Sequence, residues 1–177
     1  GIAPPDRAKI AMKAVTERLL KPYGCLLLAP AYSKVDPWVG YITRYAPGSR
    51  ENGGVYSHAS TWAVQAYAML GDLDTAYEVF RGMLPPAKAD QDAYAVEPYV
   101  MPGNVDGPDS PLEGRAGWTW YTGSAAWMLR IGLDWILGIR ATRSGLLVEP
   151  GSIEGFSEYR VKRKFRGDTF DIRVSGT

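Results

Sequence analysis

Ser57-His58-Ala59-Ser60-Thr61-Trp62-Ala63-Val64-Gln65-Ala66-Tyr67-Ala68-Met69-Leu70-Gly71-Asp72-Leu73-Asp74-Thr75-Ala76-Tyr77-Glu78-Val79-Phe80-Arg81-Gly82-Met83-Leu84 is the stretch on which the fold turns. Trp62, Ala66, Met69 and Leu70 recur at helical spacing, and Ser57 or Ser60 is placed to cap the helix that carries them. Gly71-Asp72 breaks the pattern. Asp72 or Asp74 then opens a second helix that buries Leu73, Ala76, Tyr77, Phe80 and Leu84, until Pro85-Pro86 stops it. So short a break forces the two helices to lie antiparallel as a hairpin.

Both flanks extend this pattern. Upstream, Asp6 to Leu20 reads as a helix entered from Pro4-Pro5, with Ile10, Ala14, Val15 and Leu19 at helical spacing and Pro22 and Gly24 beyond its end. Residues 21–54 then form a long irregular stretch, too rich in Leu26-Leu27-Leu28, Trp38, Tyr41 and Tyr45 for disorder. Downstream, a second long loop reaches about Tyr121, after which Thr122 or Ser124 caps a helix through Ile136 and Gly138 ends it. From Gly145 the period changes to two. Leu146-Leu147-Val148 reads as a short strand. Tyr159, Val161, Arg163 and Phe165 alternate with basic residues and, across the turn Arg166-Gly167-Asp168, face Phe170, Ile172 and Val174, which makes a β-hairpin. A hairpin alone is marginal in water, so it must pack on the helices or join strands outside this chain.

Composition narrows the function. The 177 residues are 46% hydrophobic and 22% charged, with a net charge of +1. That balance suits one globular unit and gives no electrostatic reason to expect nucleic acid or a membrane as partner. No apolar run approaches the roughly 20 residues that span a bilayer, and the start Gly1-Ile2-Ala3-Pro4-Pro5-Asp6 is unlike a signal peptide. A single Cys25 and a single His58 make neither an internal disulfide nor a zinc site, which points to the cytoplasm. Six Trp and eleven Tyr outnumber four Phe. These are the aromatics with a polar handle, suited to a large core or to a cleft that stacks sugar rings and bonds their hydroxyls.

Three loop stretches carry the polar chemistry. Arg50-Glu51-Asn52-Gly53-Gly54 runs toward His58 at a helix start, where a cation and unpaired N–H groups favour an anion. The bland account is a surface ion pair and a satisfied core histidine. Trp120-Tyr121-Thr122-Gly123-Ser124-Ala125-Ala126-Trp127 offers hydroxyls and close backbone approach at another helix start, or a plain cap among packed aromatics. Glu97-Pro98-Tyr99 and Asn104 to Ser110 either hold sugar hydroxyls or simply shape turns. There is no nucleotide-binding glycine loop, nucleophile elbow or metal-ligand cluster.

Taken in order with Gly138-Ile139-Arg140, Gly145-Leu146 and Arg163-Lys164-Phe165-Arg166-Gly167, these motifs give the chain its likeness. From about Leu20 to Val174 it resembles the carboxyl-terminal region of the inverting cellobiose and chitobiose phosphorylase family, which includes the phosphorolytic region of cyclic β-1,2-glucan synthases. The resemblance implies a mostly α fold. Residues 1–141 would be the last part of an α/α toroid of six-hairpin type, and 142–177 a small C-terminal β segment. It implies that inorganic phosphate cleaves a β-linked disaccharide or oligosaccharide with inversion to an α-sugar 1-phosphate, with no cofactor and no metal. His58, Thr122 and Gly123 would hold phosphate, and Arg50, Glu51, Glu97 and Tyr121 would contact substrate. The general acid lies upstream of the matched region in this family, so no catalytic residue is assigned within the chain. The implied partners are the two substrates and the remainder of the catalytic polypeptide, with a homodimer possible. At position 50 cellobiose-type members can carry lysine, so Arg50 leaves the acceptor sugar open. Two alternatives stand beside this account: a non-catalytic α-helical carbohydrate-binding or structural remnant, and a toroidal hydrolase, which would need a carboxylate base.

Overall fold

The computed structural model describes residues 2–88, 90–120, 122–156 and 158–176, with Thr122 described by its backbone. In chain order, α1 is Pro5–Arg18, β1 Leu20–Lys21, β2 Gly24–Cys25, β3 Val55–Tyr56, α2 Ser57–Met69, α3 Leu73–Met83 and α4 Gln91–Tyr94. After these come β4 Asn104–Val105, β5 Ala116–Gly117, α5 Thr122–Ile131, β6 Ile139–Ala141, β7 Leu146–Val148, β8 Glu158–Phe165 and β9 Asp168–Ser175. The architecture is therefore mixed. Helices are interleaved with small antiparallel sheets, where a mostly α chain was expected; the two-residue strands are too short to leave a period in the sequence.

The helix hairpin forms at the expected break. Asp72 caps α3 by accepting a hydrogen bond from Thr75 N at 3.2 Å. The buried face of α2 differs from the expected one. Ser60, Thr61, Val64 and Tyr67 are buried, whereas Trp62 is 54% and Met69 48% exposed. Polar residues can face inward here because their hydroxyls are used. Ser60 Oγ accepts from Cys25 N and donates to Cys25 O, and Thr61 Oγ1 donates to His58 O at 2.6 Å. Neither Ser57 nor Ser60 caps α2; Ser57 N instead donates to Gly103 O at 2.9 Å.

Val64 and Tyr67 of α2, Ala76, Val79 and Met83 of α3, and Met128 and Ile131 of α5 make the main core. A second cluster of Leu26, Val55, Tyr94, Val105 and Ala116 lies with the sheet of β3, β4 and β5. The helix expected through Ile136 stops being α-helical at Ile131 and continues as one π-helical turn, Gly132–Ile136. Gly132 lets Phe80 approach closely, since a Cβ there would lie 3.2 Å from the ring.

The terminal hairpin forms where the alternation placed it, with one change: Asp168, expected in the turn, opens β9. Tyr159 pairs with Val174, Val161 with Ile172, Arg163 with Phe170 and Phe165 with Asp168. Arg166 (φ 52°) and Gly167 (φ 94°) form its two-residue turn, both left-handed as a type I′ turn requires. Among the described residues no third strand joins it. It docks instead through side chains: Tyr159 Oη donates to Leu137 O at 2.8 Å, and Arg163 reaches Asp134 Oδ1 at 3.0 Å. Among the described residues, no helix is long and apolar enough to cross a membrane.

Candidate functional site

The sheet β3–β4–β5 assembles the site. β3 and β5 each pair antiparallel with β4, so they run in the same direction. β3 feeds directly into α2, and β5 feeds into α5 through residues 118–121. Both helices therefore start from the same end of the sheet, which brings together two stretches more than sixty residues apart in sequence. The ring contacts agree: His58, in the first turn of α2, lies 5.3 Å from Trp127 of α5 and 5.1 Å from Trp62, centroid to centroid.

His58 Nε2 is buried without a hydrogen-bond partner. A buried polar nitrogen left unpaired costs about 1–3 kcal/mol, so it marks a position where a ligand atom would be stabilising. Thr122 begins α5, and its side chain lies outside the described residues. Gly123 follows it; a Cβ built there meets nothing within 4 Å, so the backbone at the start of α5 is open to approach. Tyr121, expected as a substrate contact, lies outside the described residues.

Beside these helix starts is a cavity of about 70 Å³ lined by Arg50, Glu51, Tyr56, Gly103, Asn104 and Trp118. Arg50 stands in a left-handed conformation (φ 52°), with its guanidinium 4.2 Å from the Trp118 ring and 4.5 Å from the Tyr45 ring. Its Nε lies 3.5 Å from Glu51 Oε2, an ion pair that is one-third exposed rather than a free surface contact. Glu51 Oε2 and Asn104 Oδ1 are both buried and lack hydrogen-bond donors. The cavity thus presents one cation and two acceptors that want hydroxyl or amide protons. Glu97 lies apart from this lining and accepts a hydrogen bond from Trp120 Nε1 at 3.0 Å, while Tyr99 meets the Trp120 ring edge-on at 6.4 Å.

The structure divides the polar loop from Asn104 to Ser110. Asp106 is spent on Ser49 Oγ and Ser110 Oγ, and Asp109 on Ala31 N at 3.0 Å, so both hold loops together. Only Asn104 of these lines the cavity. Three residues inside the loops read from the sequence have no role of their own there: Trp118 and Tyr45, whose rings lie on the Arg50 guanidinium, and Asn52. Asn52 is fully buried and donates to Tyr32 O and Tyr45 O, both at 2.9 Å, while accepting from Tyr32 N. An asparagine between turn residues gives no periodic signal of such a clamp. In the cluster associated with the sheet, the Tyr94 hydroxyl is buried and unpartnered, and burial pushes its pKa up. Lys88 Nζ lies 5.3 Å from the Tyr94 ring, and burial lowers its pKa to about 8.

Residues 1–138 match the family described as the glycosyl hydrolase 94 superfamily, catalytic domain. The chain is 41% identical to the cyclic beta-(1,2)-glucan synthase NdvB of Rhizobium meliloti (strain 1021), an alignment covering 96% of the chain and 6% of that protein. It is 35% identical to an N,N'-diacetylchitobiose phosphorylase of Vibrio furnissii, over 98% of the chain and 22% of the enzyme. Against the solabiose phosphorylase of Paenibacillus borealis the identity is 33%, over 98% and 23%. The chain spans less than a quarter of the length of each of these relatives.

Proposed function

This chain belongs to the glycosyl hydrolase 94 superfamily, and from that premise we propose that it is part of a carbohydrate phosphorylase acting on β-linked disaccharides or oligosaccharides. In the proposed reaction a phosphate oxygen attacks the anomeric carbon as the glycosidic C–O bond breaks, giving an α-sugar 1-phosphate by inversion. The leaving oxygen takes a proton from a carboxylic acid supplied by the remainder of the catalytic polypeptide. Because phosphate is itself the nucleophile, an anion cradle replaces a carboxylate base. His58, Thr122 and the Gly123 backbone form that cradle. Arg50 and Glu51, with Asn104, take the sugar, and Glu97 and Tyr121 complete the substrate contacts. Residues 1–141 would be the closing part of an α/α toroid and 142–177 its appended β segment.

One observation carries this assignment: the unpartnered, buried Nε2 of His58 at the joint of α2 and α5. The cavity lining fits the other half of the reaction. Acceptor oxygens without hydrogen bonds on Glu51 and Asn104, beside the Arg50 cation, support assigning this cavity to sugar hydroxyls.

The test is phosphate-dependent release of sugar 1-phosphate by the full-length polypeptide. β-1,2-linked glucobiose comes first, following the product named for the 41%-identical relative, and β-1,4-linked glucobiose second. We expect product only with phosphate, as the α anomer, and none from the 177-residue chain alone. Release of free sugar at the same rate without phosphate would make the protein a hydrolase and overturn the proposal.

A further inference from the structure

Resting on that reading, we propose that Trp127 is a positioning residue for phosphate. Its indole sets the plane of the His58 ring and the distance of that ring from the start of α5. A histidine that meets a ligand through one nitrogen is commonly oriented by a hydrogen bond at the other. Among the described residues no hydrogen bond orients the His58 imidazole, and its Nε2 is buried. Aromatic rings hold it instead.

Three rings bracket the imidazole. Trp127 lies 5.3 Å away with the planes 33° apart, Trp62 meets it edge-on at 5.1 Å, and Tyr56 stands at 6.0 Å. Trp62 follows His58 by four residues on α2, and Tyr56 ends β3 just before that helix, so both move with the histidine's own segment. Trp127 alone of the three comes from α5. It is itself held: it packs against the main core, and the Arg130 guanidinium lies 5.5 Å from its ring while pairing with Asp134 at 3.4 Å. On the other side, fully buried Thr61 bonds the His58 carbonyl at 2.6 Å, which fixes the backbone of that turn. The side-chain torsions of His58 are the freedom that remains, and the indole face limits them.

The same contact sets a spacing between helices. α5 begins at Thr122, five residues before Trp127. Along a helix that offset is rigid, so seating Trp127 on His58 also places the Thr122–Gly123 backbone relative to the imidazole. An anion shared by the two helix starts needs both at one separation, and a shift of about 1 Å weakens both contacts at once. An aliphatic side chain can fill the volume of the indole, but it offers no flat face to set a ring plane.

The experiment uses the full-length polypeptide and inorganic phosphate, titrated by calorimetry without sugar and varied in steady-state kinetics at saturating disaccharide. Trp127→Met fills the space with a flexible chain, and Trp127→Phe keeps a flat ring. Trp127→Met should raise the phosphate Kd and KM roughly three- to tenfold. Trp127→Phe should hold both within about twofold of wild type, and the disaccharide KM should stay within about twofold in both variants. Trp62 is 54% exposed and tolerates replacement. Trp62→Met should weaken phosphate about twofold, which tests the bracket even where Trp127→Met does not fold. Phosphate constants unchanged in the folded methionine variants overturn the proposal. So does a Trp127→Phe as impaired as Trp127→Met, or a disaccharide KM that rises with the phosphate KM, since either makes Trp127 ordinary core packing. Phosphate binding that Trp127→Met weakens, in a protein that forms no sugar 1-phosphate, retains the positioning role and sinks the phosphorylase reading instead.

Discussion

The site end of the molecule and its C-terminal hairpin are built on opposite terms. In the hairpin the polar side chains find partners: Arg160 pairs with Asp171 across the strands, Arg173 with Glu158 at 3.1 Å, and Arg166 caps the Arg143 carbonyl at 2.6 Å. At the site end, Glu51 Oε2, His58 Nε2 and Asn104 Oδ1 are buried without hydrogen bonds. Arg50, Trp118 and Trp120 there adopt left-handed backbone at φ 52°, 57° and 63°, whereas the hairpin has one such non-glycine residue, Arg166 at φ 52°, in the turn type that requires it. Each such residue costs on the order of 1–3 kcal/mol, and strain of this kind gathers where a ligand is handled. The hairpin is finished by folding. The site end keeps buried polar atoms that folding leaves unbonded, as the proposed ligand site requires.

The sharpest way to break this contrast is at two glycines. A Cβ on Gly54 would lie 2.6 Å from Arg50 O and 2.9 Å from Arg50 N, both backbone atoms that cannot rotate away. Gly54→Ala should therefore cost about 3 kcal/mol, roughly 6–12 °C in Tm, because the Arg50 turn must move. Gly167 in the hairpin turn has φ 94° and nothing within 4 Å of its Cβ position. Gly167→Ala should cost only the left-handed penalty, about 1 kcal/mol. Equal losses in a thermal melt would mean that the site turn is as pliable as the hairpin turn.

The second effect is functional. In the proposed cradle, a charge-assisted bond from His58 to phosphate would contribute on the order of 1.5–3 kcal/mol. In the full-length polypeptide, His58→Ala should raise the phosphate requirement roughly ten- to a hundredfold, and Thr122→Val should act the same way more mildly. Steady-state kinetics with phosphate varied at saturating sugar decides it. An unchanged phosphate KM in both variants removes these residues from the cradle.

What the sequence could reveal follows the same divide. Tyr159, Val161 and Arg163 alternate with Arg160, Lys162 and Lys164, so the hairpin's inward face and its register were readable from local pattern and turn chemistry. Asp72 likewise marked the start of α3. The site is assembled by pairs such as Val55 with Val105 and Asn104 with Gly117, two-residue strands that leave no period to detect. Motifs could nominate His58 and Arg50, but not the parallel course of β3 and β5 that brings their loops together. The α2 surface failed for a related reason. Its buried face includes Ser60 and Thr61, whose hydroxyls are satisfied by the backbone of distant or neighbouring residues, and hydrophobic spacing cannot anticipate that.

A smaller effect tests whether the hairpin is independent of the site. Arg163 and Asp134 are largely buried, at 17% and 13% side-chain exposure, and their 3.0 Å ion pair links β8 to the π-helical turn after α5. Arg163→Met keeps the packing stem but leaves Asp134 with Arg130 at 3.4 Å as its remaining cation. A loss of about 1–2 kcal/mol is expected, roughly 2–8 °C in Tm. Phosphate affinity of the folded enzyme should not move. If it does, the hairpin sets the position of α5 and the two regions are coupled.

The smallest effect is a pH dependence confined to the cluster associated with the site sheet. Lys88 is held near the Tyr94 ring and donates to the Gly82 carbonyl, yet burial dominates and lowers its pKa from 10.5 to about 8. Below about 8 the amine is charged in both states, and hiding that charge weakens the fold. Between about 8 and 10.5 the unfolded chain holds more protons than the folded one, so stability climbs with pH. Cys25 opposes this from higher pH. Burial raises its thiol from 9.0 to about 11, so its contribution is complete below 9.0 and is lost as pH rises through 11. The climb should therefore appear between pH 8 and 9. Because Lys88 is partly exposed, solvent screening keeps it small, roughly 2 °C in Tm. Lys88→Met should flatten that rise, whereas Lys162→Met, on the exposed face of the hairpin, removes the same charge and should leave it intact. Parallel curves for wild type and Lys88→Met would mean that the amine keeps its proton in the folded state, so that the Tyr94 pocket is wet and the sheet rests on a hydrated support.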